Sequence, residues 1–471
     1  MKIHFLIEIK IPGADAMRRT DERAQRILLH LSNAYIAVLL TVFLLYPGSG
    51  YQTITLEKWR LYLWLTGAYV VAILLLRLEL TIVGETPAPT PRRVWQMLPL
   101  SHKLLLGYLL ATALSAILSD YRTTAIWGSG RCEGLVAIAL YCLSFMLVSV
   151  YADPKRWMLW LFAVSISINC LVCLIQFAGY NPFHLYPDGM NYYDANKQYA
   201  GEFLGTIGNV DILSAVLSLS IPALWAAILR MKGNRQRFLL LMPLALCLVV
   251  LLKAFVSGGI LGVGGALVLS APAMLDGKAA RKRAAVGVAC GTALLAASVY
   301  LFGGRMGGFL YEASELMHGH WNDDFGSGRL YIWRNVLELV PEHPLIGGGP
   351  DTLGLRTDAA FERYDETLGI LIHSSIDAAH NEYLNILVNQ GAIALLLYLV
   401  ALAVSAVKWV RYSTKDPVVA ICGSAILGYC IQALFGISSP ISTPYFWMAL
   451  AFLNRMQDKR GPSIESERCQ R

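Results

Sequence analysis

About twelve long, nearly uninterrupted apolar runs constrain this chain more than any other feature. They lie at 27–46, 61–80, 104–118, 134–151, 157–178, 212–229, 238–255, 259–274, 284–302, 392–410, 418–435 and 444–456, the third and last being short. Runs of about 17–25 apolar residues are long enough to cross a bilayer as helices. A helix also satisfies its own backbone groups where no water can reach them. With 56% hydrophobic and only 15% charged residues over 471 positions, one water-soluble core could not hide them all. The expected fold is an all-α polytopic membrane protein of about twelve transmembrane helices.

Basic residues supply an orientation. Arg18, Arg19, Arg23 and Arg26 precede the first run, and Arg92, Arg93 and Lys103 lie between the second and third. Lys155 and Arg156, then Arg230, Lys232, Arg235 and Arg237, then Lys278, Arg281, Lys282 and Arg283 follow on the same face. Lys408, Arg411, Lys415, Arg455, Lys459 and Arg460 complete it. If all twelve runs cross, the positive-inside rule makes that face cytoplasmic, with both termini there. The net charge of +7 is then a topology signal and calls for no nucleic-acid partner.

The first 25 residues are polar and mixed in charge, unlike a cleavable signal peptide. The expected organisation is an N-terminal segment 1–26, spans 27–302, a large extracytoplasmic loop 303–391, spans 392–456 and a tail 457–471. Pro87 to Pro91 reads as a linker. Most of the nine cysteines sit inside apolar runs, so neither a disulfide framework nor a metal at Cys170 and Cys173 is expected.

A polar stretch as long as 303–391 is usually functional or contains its own elements. Ser327 is positioned to cap a helix whose Trp333, Val336, Leu337 and Val340 share a face, ending before Pro341. A second helix is expected from about Ala378 into the tenth run, and Gly347-Gly348-Gly349-Pro350 reads as a tight turn between them. His380-Asn381-Glu382-Tyr383 then places an imidazole at the membrane edge.

Several motifs in order resemble the O-antigen ligase and polymerase superfamily. They are Trp127 to Gly134, Gly205 to Asn209, Arg329 to Trp333, His343 to Thr352 and His380-Asn381. The resemblance covers roughly residues 105–455 and implies a glycosyltransferase of the multi-span C type. Such a protein takes a glycan from a polyprenyl diphosphate, usually undecaprenyl diphosphate, at the outer face of the cytoplasmic membrane. It passes the glycan to a lipid-linked sugar, a polysaccharide or a protein hydroxyl, and the family's reaction needs no cofactor and no obligatory metal. The resemblance has one gap: the family's Arg after a Ser near the outer end of the seventh span is replaced by Phe255-Val-Ser-Gly-Gly259.

The residues present can be set against that chemistry. A base near neutral pKa helps an acceptor hydroxyl attack an anomeric carbon, and histidine suits the task. His380 is the candidate; alternatively it packs and caps at helical spacing with Tyr383, Leu384 and Leu387. Fixed cations stabilise a departing diphosphate, and the arginine fork fits phosphate oxygens. Arg131 and Arg329 are candidates, against snorkelling for Arg131 and a salt bridge for Arg329. Lys253, the charge nearest the end of the seventh span, stands in for the missing Arg or snorkels. Asn209 and Asn381 orient sugar hydroxyls or cap helices. Tyr192, Tyr193 and Trp321 stack on sugars or belong to an aromatic belt, and His318, His320, Asp323 and Asp324 lack a recognised metal spacing. The rival classes are a membrane transporter, disfavoured by the asymmetric placement of polar residues, and a non-catalytic partner of envelope glycan assembly.

Overall fold

A computed structural model describes residues 14–82, 90–198, 203–365 and 370–456. The tail expected at 457–471, residues 1–13 of the N-terminal segment and most of the Pro-rich linker lie outside them.

Each of the twelve apolar runs coincides with a helix. The first half of the chain forms α1 (Ala14–Val38), continued by a π-helical turn at Leu39–Phe43, α2 (Ile54–Ile82), α3 (Pro91–Met97) and α4 (Leu100–Leu118). Next come α5 (Arg122–Trp127), α6 (Leu135–Tyr151), α7 (Arg156–Phe177), α8 (Tyr192–Gln198), α9 (Val210–Arg230), α10 (Asn234–Ala254), α11 (Ser257–Met274) and α12 (Lys278–Phe302). The polar insertion carries α13 (Phe309–Met317), α14 (Arg329–Leu339), α15 (Leu353–Arg356) and strands β1 (Ala360–Asp365) and β2 (Ile370–Ser375). The chain closes with α16 (Glu382–Tyr412), α17 (Pro417–Gln432) and α18 (Thr443–Leu453). Among the described residues, nine helices are long and apolar enough to cross a membrane; α6, α17 and α18 are apolar but shorter.

Helix α9 is the hub. From Ile212 to Leu224 every residue is buried, as expected of a helix apolar on all sides. It packs on α10, α11 and α17. The approach to α17 depends on Gly428, where an added Cβ would lie 1.9 Å from the Ser218 carbonyl oxygen. Small residues at such crossings let backbones come together.

The insertion corrects three expectations. Antiparallel β1 and β2 pair from Ala360 opposite Ser375 to Asp365 opposite Ile370, so the described chain is not wholly helical. Ser327 is not a cap: it is left-handed (φ 60°), and Gly328 takes the N-cap position of α14 without a side-chain cap bond. The helix expected from Ala378 starts instead at Glu382 and is broken at Gly391 (φ 85°). The break admits the Gly347–Gly349 turn. Ala392 and Ile393 N–H donate to the carbonyls of Pro344 (2.9 Å) and Leu345 (3.2 Å), while Gly348 and Gly349 N–H donate to those of Val388 (3.2 Å) and Asn389 (2.8 Å). Backbone groups freed by the break thus find partners in the inserted turn.

Candidate active site

The loop from Trp127 to Gly134 folds around one carboxylate. Asp351 accepts from the backbone N–H of Ser129 (2.6 Å) and Glu133 (3.2 Å), and the Ser129 hydroxyl donates to the Asp351 carbonyl (3.3 Å). Burial raises the pKa of Asp351, while those two N–H donors work the other way. This knot fixes the backbone on either side of Arg131. The guanidinium then reaches Asp377 through two parallel bonds, Nε to Oδ2 at 2.7 Å and Nη2 to Oδ1 at 3.0 Å. Such a fork is directional as well as strong.

His380 lies before α16 rather than on it, so the helical face shared with Tyr383 and Leu387 does not include it. It is half-buried and left-handed, with φ 48°. A side chain with Cβ is uncommon there, and the neighbouring bonds show what imposes it. Trp333 Nε1 donates to the Ala379 carbonyl (3.0 Å). Asn381 Oδ1 accepts from the N–H of Tyr383 and Leu384, both at 3.1 Å. Glu382 N–H donates to the Ala433 carbonyl (2.8 Å), and its carboxylate accepts from Tyr398 (2.9 Å) and Tyr429 (2.8 Å). Of seven non-glycine residues with positive φ among those described, four are Cys132, Ser327, Asp351 and His380, all beside the candidate groups. Strain concentrates where surrounding structure over-determines it, commonly at functional sites.

Four charges converge on that imidazole. Burial lowers the His380 pKa below its ordinary value; Arg131 and Arg329 push the same way, and Asp211 and Asp377 oppose them. Arg329 stands 3.8 Å from Asp211 and donates through Nη1 to the Gly326 carbonyl (2.8 Å). Its buried Nε has no acceptor among the described residues. A buried donor left unmet costs about 1–3 kcal/mol, so this Nε is available to an anion.

The structure therefore brings His380, Arg131 and Arg329 together from three distant segments. It does not bring in Lys253, which is exposed in the last turn of α10, where left-handed Phe255 ends the helix. Asn209 and Asn381 stand near the cluster in sequence, but each commits its amide oxygen to an N-cap, Asn209 to the N–H of Asp211 (2.9 Å) and Ile212 (3.1 Å). Tyr192 is packed on Phe177, whereas Tyr193 and Trp321 are exposed. His318 stacks on Tyr300 and His320 pairs with Glu315. Among the described residues no group of three His, Cys, Asp or Glu is placed to hold a metal.

The carboxylates were missed as candidates. Asp211 follows Asn209 by two, Glu133 follows Arg131 by two, and Glu382 follows His380 by two, so adjacency to the motifs was an available signal. Asp377, three before His380, offered the same signal. Glu133, Asp351 and Glu382 line a cavity of about 20 Å³ that none of His380, Arg131 and Arg329 borders. That is room for about one water and none for a sugar, so these three position other groups.

No curated protein matches this chain. A family model described as O-Antigen ligase matches residues 242–399, running from α10 through the polar insertion and His380 into α16. That match makes residues 242–399 similar to the O-antigen ligase family, in a chain whose apolar helices suit a multi-pass membrane protein.

Proposed function

We propose that this protein transfers a glycan from a polyprenyl-diphosphate donor to an acceptor hydroxyl at the outer face of the cytoplasmic membrane, as a surface-polysaccharide ligase or polymerase. The observation that carries this is His380, held in a left-handed conformation between two arginines and two carboxylates, with its pKa lowered chiefly by burial. The family match supports O-antigen ligase or polymerase-type transfer; donor, acceptor and leaflet are our reading.

In that reaction His380 takes the proton from the acceptor hydroxyl as its oxygen bonds to the anomeric carbon. The bond from that carbon to the diphosphate breaks, and the electron pair leaves with the polyprenyl diphosphate. Arg329, through its unmet Nε, and Arg131 offset the charge on the departing phosphate. Asp211 and Asp377 stabilise the imidazolium until its proton passes to water. No nucleotide sugar enters this scheme.

The test uses purified protein, a polyprenyl-diphosphate oligosaccharide and a glycan acceptor, with products followed by mass spectrometry. Extended acceptor with wild type, and none with His380→Ala of equal thermal stability, is the expected result. Full turnover by His380→Ala would remove His380 from the chemistry. No product from wild type with the host's own donor and acceptor pools would remove the transferase reading.

A further inference from the structure

A second cavity, of about 290 Å³, lies at the opposite end of α9 from His380. Asp211, whose charge acts on His380, opens α9, while the cavity extends along Leu219, Ala223, Ala227 and Arg230 near its close. These residues are spaced 4, 4 and 3 apart, so they form one stripe on the helix. Eleven steps of about 1.5 Å each make that stripe roughly 16 Å long. The facing walls come from the N-terminal halves of α7 and α17 and from Tyr445, Met448, Ala449 and Phe452 of α18. Ala223, Ala227, Ala425 and Ala449 leave the bore open because their side chains are too short to fill it. The result is a narrow apolar channel, at the lower edge of the roughly 300–1,000 Å³ usual for small-molecule sites. It suits a hydrocarbon chain and excludes a glycan.

Its mouth is cationic. Lys155 and Arg156 are exposed there, and Arg230 lies at the end of the α9 stripe. Arg230 Nη2 donates to the Met274 carbonyl (2.8 Å), but its buried Nε has no acceptor among the described residues. Lys155, at the N-cap of α7, makes no side-chain cap bond, so the positive end of the helix lies at the same mouth. Two carboxylates are close in sequence. Asp153 stands 3.9 Å from Lys155, and Asp416 is paired with Arg455 while capping α17. One cationic side chain per carboxylate still leaves Arg156 and Arg230 to meet an anion.

We propose that this channel binds an anionic phospholipid of the leaflet opposite the His380 site, one acyl chain in the bore and the phosphate at Arg156 and Arg230. An apolar bore ending in cations matches that amphiphile, whereas free phosphate would leave the bore empty. The site is separate from the glycan-transfer reading and stands or falls without it.

The experiment is native mass spectrometry of the delipidated full-length protein with phosphatidylglycerol or phosphatidylcholine of identical chains. Phosphatidylglycerol is expected to be retained about tenfold better. Lys155→Gln/Arg156→Gln, both at exposed positions, lowers that preference to about twofold. Ala223→Phe fills the bore and removes the tightly held lipid of either kind; Ala449→Phe does the same from α18 should the first variant fail to fold. Equal retention of the two lipids overturns the proposal. So does retention unchanged in whichever filled variant runs as a folded monomer, which would mean the lipid sits on the outer surface.

Discussion

We propose His380 as the base because its surroundings set its proton. Burial, aided by two guanidiniums and opposed by Asp211 and Asp377, holds its pKa below the ordinary imidazole value, which favours the free base. The acid limb of kcat/KM is therefore expected below the ordinary value of about 6.5. Arg329→Gln removes a cation and should move that limb upward in a pH profile of the residual activity; a limb that stays put would contradict the coupling. The same shift affects stability. Between the folded and unfolded pKa values the unfolded chain binds the extra proton, so the His380 contribution is complete above about pH 6.5 and is lost as pH falls through that window. His380→Ala should reduce turnover by about 10²–10⁴-fold. His380→Gly should be as inactive yet at least as stable as His380→Ala in thermal unfolding, because glycine tolerates the left-handed backbone that alanine does not. A His380→Gly protein markedly less stable than His380→Ala would show that strain is not concentrated there.

At the scale of elements, the site depends on loops locked to helix ends. Asp351 holds the loop that carries Arg131, so Asp351→Ala should orphan the Ser129 and Glu133 N–H groups at about 1–3 kcal/mol each. Activity should fall with it, mainly through KM for the donor, and Asp351→Asn should recover part because its amide oxygen still accepts. Glu133 is pushed up to about 8, chiefly by burial. Its folded value exceeds the unfolded one, so the native state keeps a proton that the unfolded chain loses from about pH 4.5, and its contribution declines as pH rises towards 8. Glu133→Gln should flatten the dependence of Tm on pH over that window; an unchanged slope would contradict it. Gly391 is a steric requirement as well. A Cβ there would lie 2.2 Å from the Leu345 carbonyl oxygen, so Gly391→Ala should destabilise by about 1–3 kcal/mol or more.

These elements mark the limit of what the sequence discloses. Among the described residues each of the twelve apolar runs marks a helix, nine of them long enough to span, because burying a whole helix leaves a dense, local signal. The motifs pointed to His380, Arg131 and Arg329, which the fold brings together. Backbone conformation was not legible: nothing in His380-Asn381-Glu382 announces a left-handed histidine before a capped helix, because Trp333 and Ala433, far away in sequence, impose it. Ser327 failed as a cap because Gly326 and Gly328 around it are also left-handed. Lys253 was the nearest charge along the chain, but the end of α10 leaves it exposed.

For the whole molecule, the clustered cations at one set of helix ends and His380 at the other give a polarised bundle. If the positive-inside reading is right, Trp321→Cys should react with a membrane-impermeant maleimide on intact cells, and Lys415→Cys only after permeabilisation. The reverse pattern would invert the molecule and place His380 away from an outer-leaflet donor. The central claim is transfer from a lipid-linked glycan with His380 as base, and mass spectrometry of polyprenyl-diphosphate glycans in the native host tests it most directly. Wild type, a deletion and His380→Ala at equal abundance would be compared. The account predicts donor accumulation in both mutants with loss of one surface glycan. Accumulation in the deletion alone would take the base away from His380, and accumulation in neither would contradict glycan transfer itself.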